Sequence, residues 1–107
     1  MTLLGYDCDG VLTAGIIPVK PYVVITGRGA DKDDAYIESL RKDAPVYLRT
    51  PEYSHTPISI GYFKASIINK LGVTKFFENN VQEAIIIQIN CPECVVELVG
   101  DEDPENF

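Results

Sequence analysis

Two aspartates bracket one cysteine near the start of the chain, in Asp7-Cys8-Asp9-Gly10. Carboxylates so close repel one another unless a proton or a cation shares the space between them. Mg²⁺ suits such a pair, being a hard ion held by one or two carboxylates together with substrate phosphate oxygens. One Asp could then act as a nucleophile while the other shuttles a proton. A plain turn, with the acids capping it and Gly10 supplying an unusual backbone angle, accounts for the same residues without any chemistry. Lys64 is the second unusual residue. It lies four residues after Ile60 and four before Ile68, inside an apolar helical stripe rather than on the wet face. Its stem could simply cover core surface while the ammonium snorkels to water. Alternatively, the ammonium could reach the acidic pair and neutralise both it and a bound phosphoryl group.

The elements that must position these groups alternate along the chain. Residues 3–8 and 22–26 read as strands, the second one rich in β-branched side chains. Between them, Gly15 and Pro18-Val19-Lys20-Pro21 forbid a regular helix. Residues 31–42 read as a helix with Asp31, Asp33 and Asp34 in its first turn and Arg41 and Lys42 in its last. A short strand over 46–48 and a Pro/Ser/Thr-rich loop over 50–59 follow. Ile60, Phe63, Ile67, Ile68 and Leu71 then mark a helix that Gly72 stops. A strand over 75–78 and a strand over 94–99 complete the pattern. Between them, 81–90 is ambiguous, its Ile85-Ile86-Ile87 run being β-branched while its length and the alternating context favour a helix. The alternation predicts an α/β domain, a three-layer sandwich around a five-stranded, mostly parallel sheet in the order 3-2-1-4-5. In such sheets ligands bind beyond the carboxyl ends of the strands. Asp7 and Asp9, Thr26-Gly27-Arg28, Glu78-Asn79-Asn80 and Gly100-Asp101 all fall at that edge, which makes one acidic rim.

Composition limits what the rim can serve. With 107 residues, 46% of them hydrophobic, one domain over 1–107 can bury a core without staples, leaving about 100–107 as an acidic tail. Nine basic against 16 acidic side chains give a net charge of −7, which argues against general nucleic-acid binding. No apolar run approaches a membrane span, and the N-terminus meets Asp7 too early for a signal peptide, so a cytoplasmic address is expected. Three cysteines are too few for a secreted disulfide framework. Cys91-Pro92-Glu93-Cys94 lacks the partner pair of a zinc site and reads as structural. The single histidine, His55, falls in the Pro-rich loop and reads as solvated unless that loop leans over the rim. Arg28 either binds a phosphate or pairs with Asp31 or Asp33.

Taken together, the motifs resemble those of the haloacid dehalogenase superfamily of phosphotransferases. Asp7-Cys8-Asp9-Gly10-Val11-Leu12-Thr13 resembles its DxDGxxT first motif, and Val23-Val24-Ile25-Thr26 its second. Lys64 matches the third, and Phe76-Phe77-Glu78-Asn79-Asn80 resembles the fourth. The resemblance implies a Mg²⁺-dependent phosphomonoester hydrolase acting through an aspartyl-phosphate. It makes Asp7 the nucleophile and Asp9 the general acid/base, with the Asp9 carbonyl on the metal. Thr26, Gly27, Arg28 and Lys64 would hold the phosphoryl group. Asp7, Asp9, Glu78 and Asn79 would hold Mg²⁺. The implied substrate is a phosphorylated small molecule or an exposed phosphoester end of a larger one.

Two departures accompany the resemblance. The family commonly has Asp where Asn79 stands, and only 16 residues separate Asp9 from Thr26, which leaves no linking helix and no cap domain. Both keep a second function class open: a weak or inactive module that binds a phosphorylated ligand or a protein partner. A response-regulator receiver is excluded, because Arg49-Thr50-Pro51 follows the third strand and no Lys follows Lys75.

Overall fold

A computed structural model describes residues 2–100. Its five strands are β1 (Leu4–Tyr6), β2 (Tyr22–Gly29), β3 (Val46–Arg49), β4 (Lys75–Glu78) and β5 (Val95–Leu98). Its helices are α1 (Ala35–Arg41), α2 (Pro57–Leu71) and α3 (Val81–Asn90). Every strand pair is parallel and the order is β3-β2-β1-β4-β5, the order expected from the alternation of elements. The expected acidic tail from residue 101 onward lies outside the described residues. No helix among those described is long and apolar enough to cross a membrane.

Side chains on both faces of the central strands β1, β2 and β4 are buried, as a parallel sheet requires, while β3 is half-buried and β5 is largely exposed. On one face, Val23, Ile25 and Phe76 pack with Phe63, Ile68 and Ile87 of α2 and α3. On the other, Tyr6, Tyr22 and Val24 pack with Val11 and with Ile37 of α1. Each large apolar side chain removed from water in this way stabilises the fold by roughly 1.5–3 kcal/mol. The helices α2 and α3 approach closely at Gly61, where a Cβ would lie 2.8 Å from the Cβ of Ile86. Outer strand β5 is only partly open. The Gln88 carboxamide accepts from Val96 N at 3.1 Å and donates to Cys94 O at 2.7 Å, so a side chain from α3 occupies part of the edge.

Four local boundaries differ from the sequence reading. Helix α2 starts at Pro57, inside the expected 50–59 loop, because Thr56 caps it by accepting from Ser59 N. Strand β1 stops before Asp7, and β2 runs on to Gly29 with a register shift against β3 between Thr26 and Gly29. Helix α1 starts at Ala35 rather than 31. Asp34 is its N-cap, accepting from Tyr36 N and Ile37 N, and Ala30–Lys32 form a separate short turn. A single Asp bonding two free N–H groups fixes the helix start more firmly than a run of acids favoured by the dipole. Residues 91–94 form a turn whose two thiols are buried, and burial pushes the thiol of Cys94 up to about 11.

Candidate functional site

An irregular turn, Cys8–Leu12, leaves the end of β1 and shapes the first part of the site. Asp7 caps it, accepting from Cys8 N at 2.8 Å. Gly10 has φ of +83°, a conformation that costs an L-residue about 1–2 kcal/mol. Its N–H donates to Thr13 Oγ1 at 2.8 Å, so the threonine that closes the first motif also pins the turn. The turn reading of Gly10 holds, and the same turn sets the Asp7 side chain at the end of β1.

Asp7, Asp9, Thr26, Gly27, Arg28, Lys64 and Asn79 all line one cleft of about 710 Å³. Glu78 lies just beneath it. Thr26 is buried and its Oγ1 accepts from Arg28 N at 3.1 Å. Lys64 does not snorkel. It is 1% exposed, and its Nζ stands 3.0 Å from Asp7 Oδ1, 2.7 Å from Glu78 Oε1 and 2.7 Å from Glu83 Oε1. Glu78 uses its other oxygen to accept from the N–H groups of Asn79 and Asn80, both at 3.1 Å. It is committed to holding Lys64 and the start of α3, while Asn79 and Glu83 face the cleft.

Three buried carboxylates around one ammonium leave an excess of negative charge, and the ionisation of the site follows from that. Burial, reinforced by the charge of Glu78, pushes the Asp7 carboxyl well above its ordinary range against the pull of Lys64. Burial also raises Glu78 and Glu83, again opposed by Lys64. For Lys64, burial acts to lower the pKa, but Asp7, Glu78 and Glu83 overcome it and hold the ammonium charged well above its usual range. Glu83 Oε1 is buried and, despite its ion pair, makes no hydrogen bond of good geometry.

Asp9 has a different environment, exposed at the cleft mouth. Arg28 grips it in a bidentate pair, Nε to Oδ2 at 2.9 Å and Nη2 to Oδ1 at 2.8 Å. That hydrogen-bonded guanidinium lowers the Asp9 carboxyl below its usual value. Arg28 also lies 3.6 Å from Asp34 and over the ring of Tyr36. The sequence leaves Arg28 either to bind a phosphate or to pair with Asp31 or Asp33, and its acidic partners here are neither of those two. The later start of α1 brings Asp34 forward instead, and Asp33 pairs with Arg41.

Glu83 and Arg49 are the cleft residues that sequence reasoning passed over. Glu83 sits in the first turn of α3, where its N–H donates to the Asn80 cap, and in sequence nothing sets it apart from an ordinary first-turn acid. Arg49 donates to Gly27 O at 2.9 Å and Tyr53 O at 2.6 Å, tying the 50–56 loop over the end of β2. That tie brings His55 to the cleft wall.

Cation-binding capacity can be judged from these donors. Among the described residues, no three His, Cys, Asp or Glu side chains converge as a metal cage. The excess of acids around Lys64 could still draw a hard cation, held by one or two side chains, backbone oxygen and water. In the comparisons with known proteins, no family model, no curated protein and no solved structure matches this chain.

Proposed function

We propose that this chain is a small, uncapped member of the haloacid dehalogenase superfamily, with that family's three-layer, Rossmann-like arrangement, and that it hydrolyses phosphomonoesters. One observation carries the reading. Asp7, Asp9, Thr26 and Lys64 are scattered over the sequence yet line one cleft, with Lys64 Nζ 3.0 Å from Asp7 Oδ1. An Asp7 oxygen attacks phosphorus and the bond to the ester oxygen breaks, giving an aspartyl-phosphate on Asp7. Asp9, protonated for this step, gives its proton to the departing alkoxide. It then takes a proton from water, whose oxygen attacks phosphorus, breaks the bond to Asp7 and releases inorganic phosphate. Thr26 and Lys64 donate to the phosphoryl oxygens as charge builds there.

Asp7, the Asp9 carbonyl and an oxygen of Glu78 or Asn79 would hold Mg²⁺. Both Glu78 oxygens already bond Lys64 and the N–H groups of Asn79 and Asn80, so Asn79 is the better placed of the two. Bound there, the ion would supply positive charge that favours ionised Asp7 and offsets the phosphate. The open cleft suits a phosphorylated small molecule or the end of a larger phosphoester in the cytoplasm. The grip of Arg28 on Asp9 supports a second reading, a binding module, because it holds the acid/base ionised and occupied. A panel of phosphomonoesters with and without Mg²⁺ separates the two. Hydrolysis that needs Mg²⁺ and vanishes in Asp7→Asn, together with a beryllium fluoride adduct on Asp7, supports the enzyme. No turnover and no adduct on a folded protein leaves the binding module.

A further inference from the structure

The outer surface of α2 and α3 differs from the rest of this acidic chain. Although 25 of 107 residues are charged by sequence (9 basic and 16 acidic), the two helices hold only Lys64, Lys70 and Glu83. Lys64 and Glu83 are buried in the cleft cluster, so Lys70 is the one exposed charge on both helices. In its place the surface carries apolar side chains. Val81, Ile85 and Ile89 stand at i, i+4 and i+8 along α3, with Ile85 53% and Ile89 71% exposed. That spacing puts them in one row. Ile58 and Tyr62 of α2 are exposed as well. The contact of Gly61 with Ile86 sets the two helices side by side, so the rows form one two-helix face. Helix α1, by contrast, carries Glu38 and Arg41 in seven residues.

We propose that this face is where two copies of the chain associate, helix layer against helix layer across a two-fold axis. Three features favour a second copy over a charged partner. First, the face has almost no charge with which to select an acidic or basic surface, and an isologous contact needs only apolar self-complementarity. Second, the chain carries a net charge of −7, so two copies repel wherever charged surfaces meet. The α2–α3 face is where they can approach without setting acid against acid. Third, the size suits a weak, reversible dimer. Helices of 15 and 10 residues are about 22 and 15 Å long and pack roughly 9 Å apart, a face on the order of 400 Å² in projection. That lies below the roughly 600 Å² per partner of the smaller stable interfaces and within the range of transient ones. Continuation of the sheet at the β5 edge is one competing route, and Gln88 obstructs it by occupying Cys94 O and Val96 N there.

Sedimentation velocity over a micromolar concentration series tests the proposal. The wild-type chain is expected to show a reversible monomer–dimer equilibrium. Ile85→Glu with Ile89→Glu should weaken it about tenfold or more, since like charges then face each other across the axis. Val19→Glu, an exposed apolar position in the loop before β2, should leave it unchanged. If circular dichroism shows that the glutamates disturb the fold, Ile85→Gln with Ile89→Gln makes the same comparison without added charge. A wild-type chain that stays monomeric, a dimer that survives the α3 variants, or one lost in Val19→Glu overturns the proposal. None of these outcomes depends on phosphatase activity.

Discussion

Lys64 and Glu78 meet at 2.7 Å beneath the cleft, where neither side chain reaches solvent. With Asp7 and Glu83 on the same ammonium, Lys64 is the electrostatic centre of the site. Its apolar stem alone would suggest that Lys64→Met is harmless to the fold. The carboxylates reverse that expectation, because removing one partner strands buried charge at about 3–5 kcal/mol. The expected outcome is a marked fall in the urea midpoint. The loss should shrink at mildly acidic pH. Asp7, Glu78 and Glu83 are already raised, so the folded variant takes up protons before the unfolded chain does, and stability recovers as pH falls.

Arg28→Gln addresses the opposite end of the charge range. Asp9 is held below its ordinary pKa by the Arg28 hydrogen bonds, so the pair contributes stability above the unfolded value and loses it as pH falls through the folded one. Asp9 is more than half exposed, so solvent screening keeps the contribution below about 1 kcal/mol. The replacement should move the Asp9 midpoint up to the usual carboxylate range in a carboxyl NMR titration. Thermal stability at neutral pH should barely change. A midpoint that stays low would mean that another group holds Asp9.

The strand order was legible in the sequence because short apolar runs alternate with helical periodicity, and the Val81–Asn90 helix was legible from length despite its Ile85-Ile86-Ile87 run. That Asp7, Thr26 and Lys64 share one cleft was legible because each breaks a local pattern, an acid or hydroxyl at a strand end or a cation in an apolar stripe. Glu83 was not. In sequence it is an ordinary acid in a first helical turn, and only the packing of α2 on α3 turns it toward Lys64. The Arg28–Asp9 pair was hidden for a similar reason, since it depends on how far β2 runs past Thr26.

The pair Cys91 and Cys94 gives an alkaline prediction far from the cleft. Burial raises both thiols, Cys94 to about 11, whereas an unfolded thiol titrates near 8.5. Above that unfolded value the denatured chain loses protons that the native chain keeps, so stability must fall as pH rises. The slope is about 1.4 kcal/mol per pH unit for each thiol in that window. Thermal unfolding under reducing conditions should therefore show a steep alkaline decline, and Cys94→Ala should flatten it while costing some packing. An unchanged slope in the variant would remove Cys94 as the cause.

Gly10 and Asn79 test whether the first-motif turn positions a cation ligand. Gly10 has φ of +83°, and a Cβ there would overlap the Asn79 carboxamide. The turn and the Asn79 side chain are thus built around each other. Asn79→Asp adds a charge where a hard cation would be held, and should tighten Mg²⁺ about tenfold, the equivalent of roughly 1.4 kcal/mol. Gly10→Ala should destabilise the fold by about 1–2 kcal/mol through backbone strain. It should also displace residue 79. If that displacement matters, the gain from Asn79→Asp disappears in the double variant, a non-additivity expected of groups in contact. Calorimetric titration of Mg²⁺ into the four proteins measures it. Full retention of the gain in the double variant would show that residue 79 reaches the cation without help from the turn.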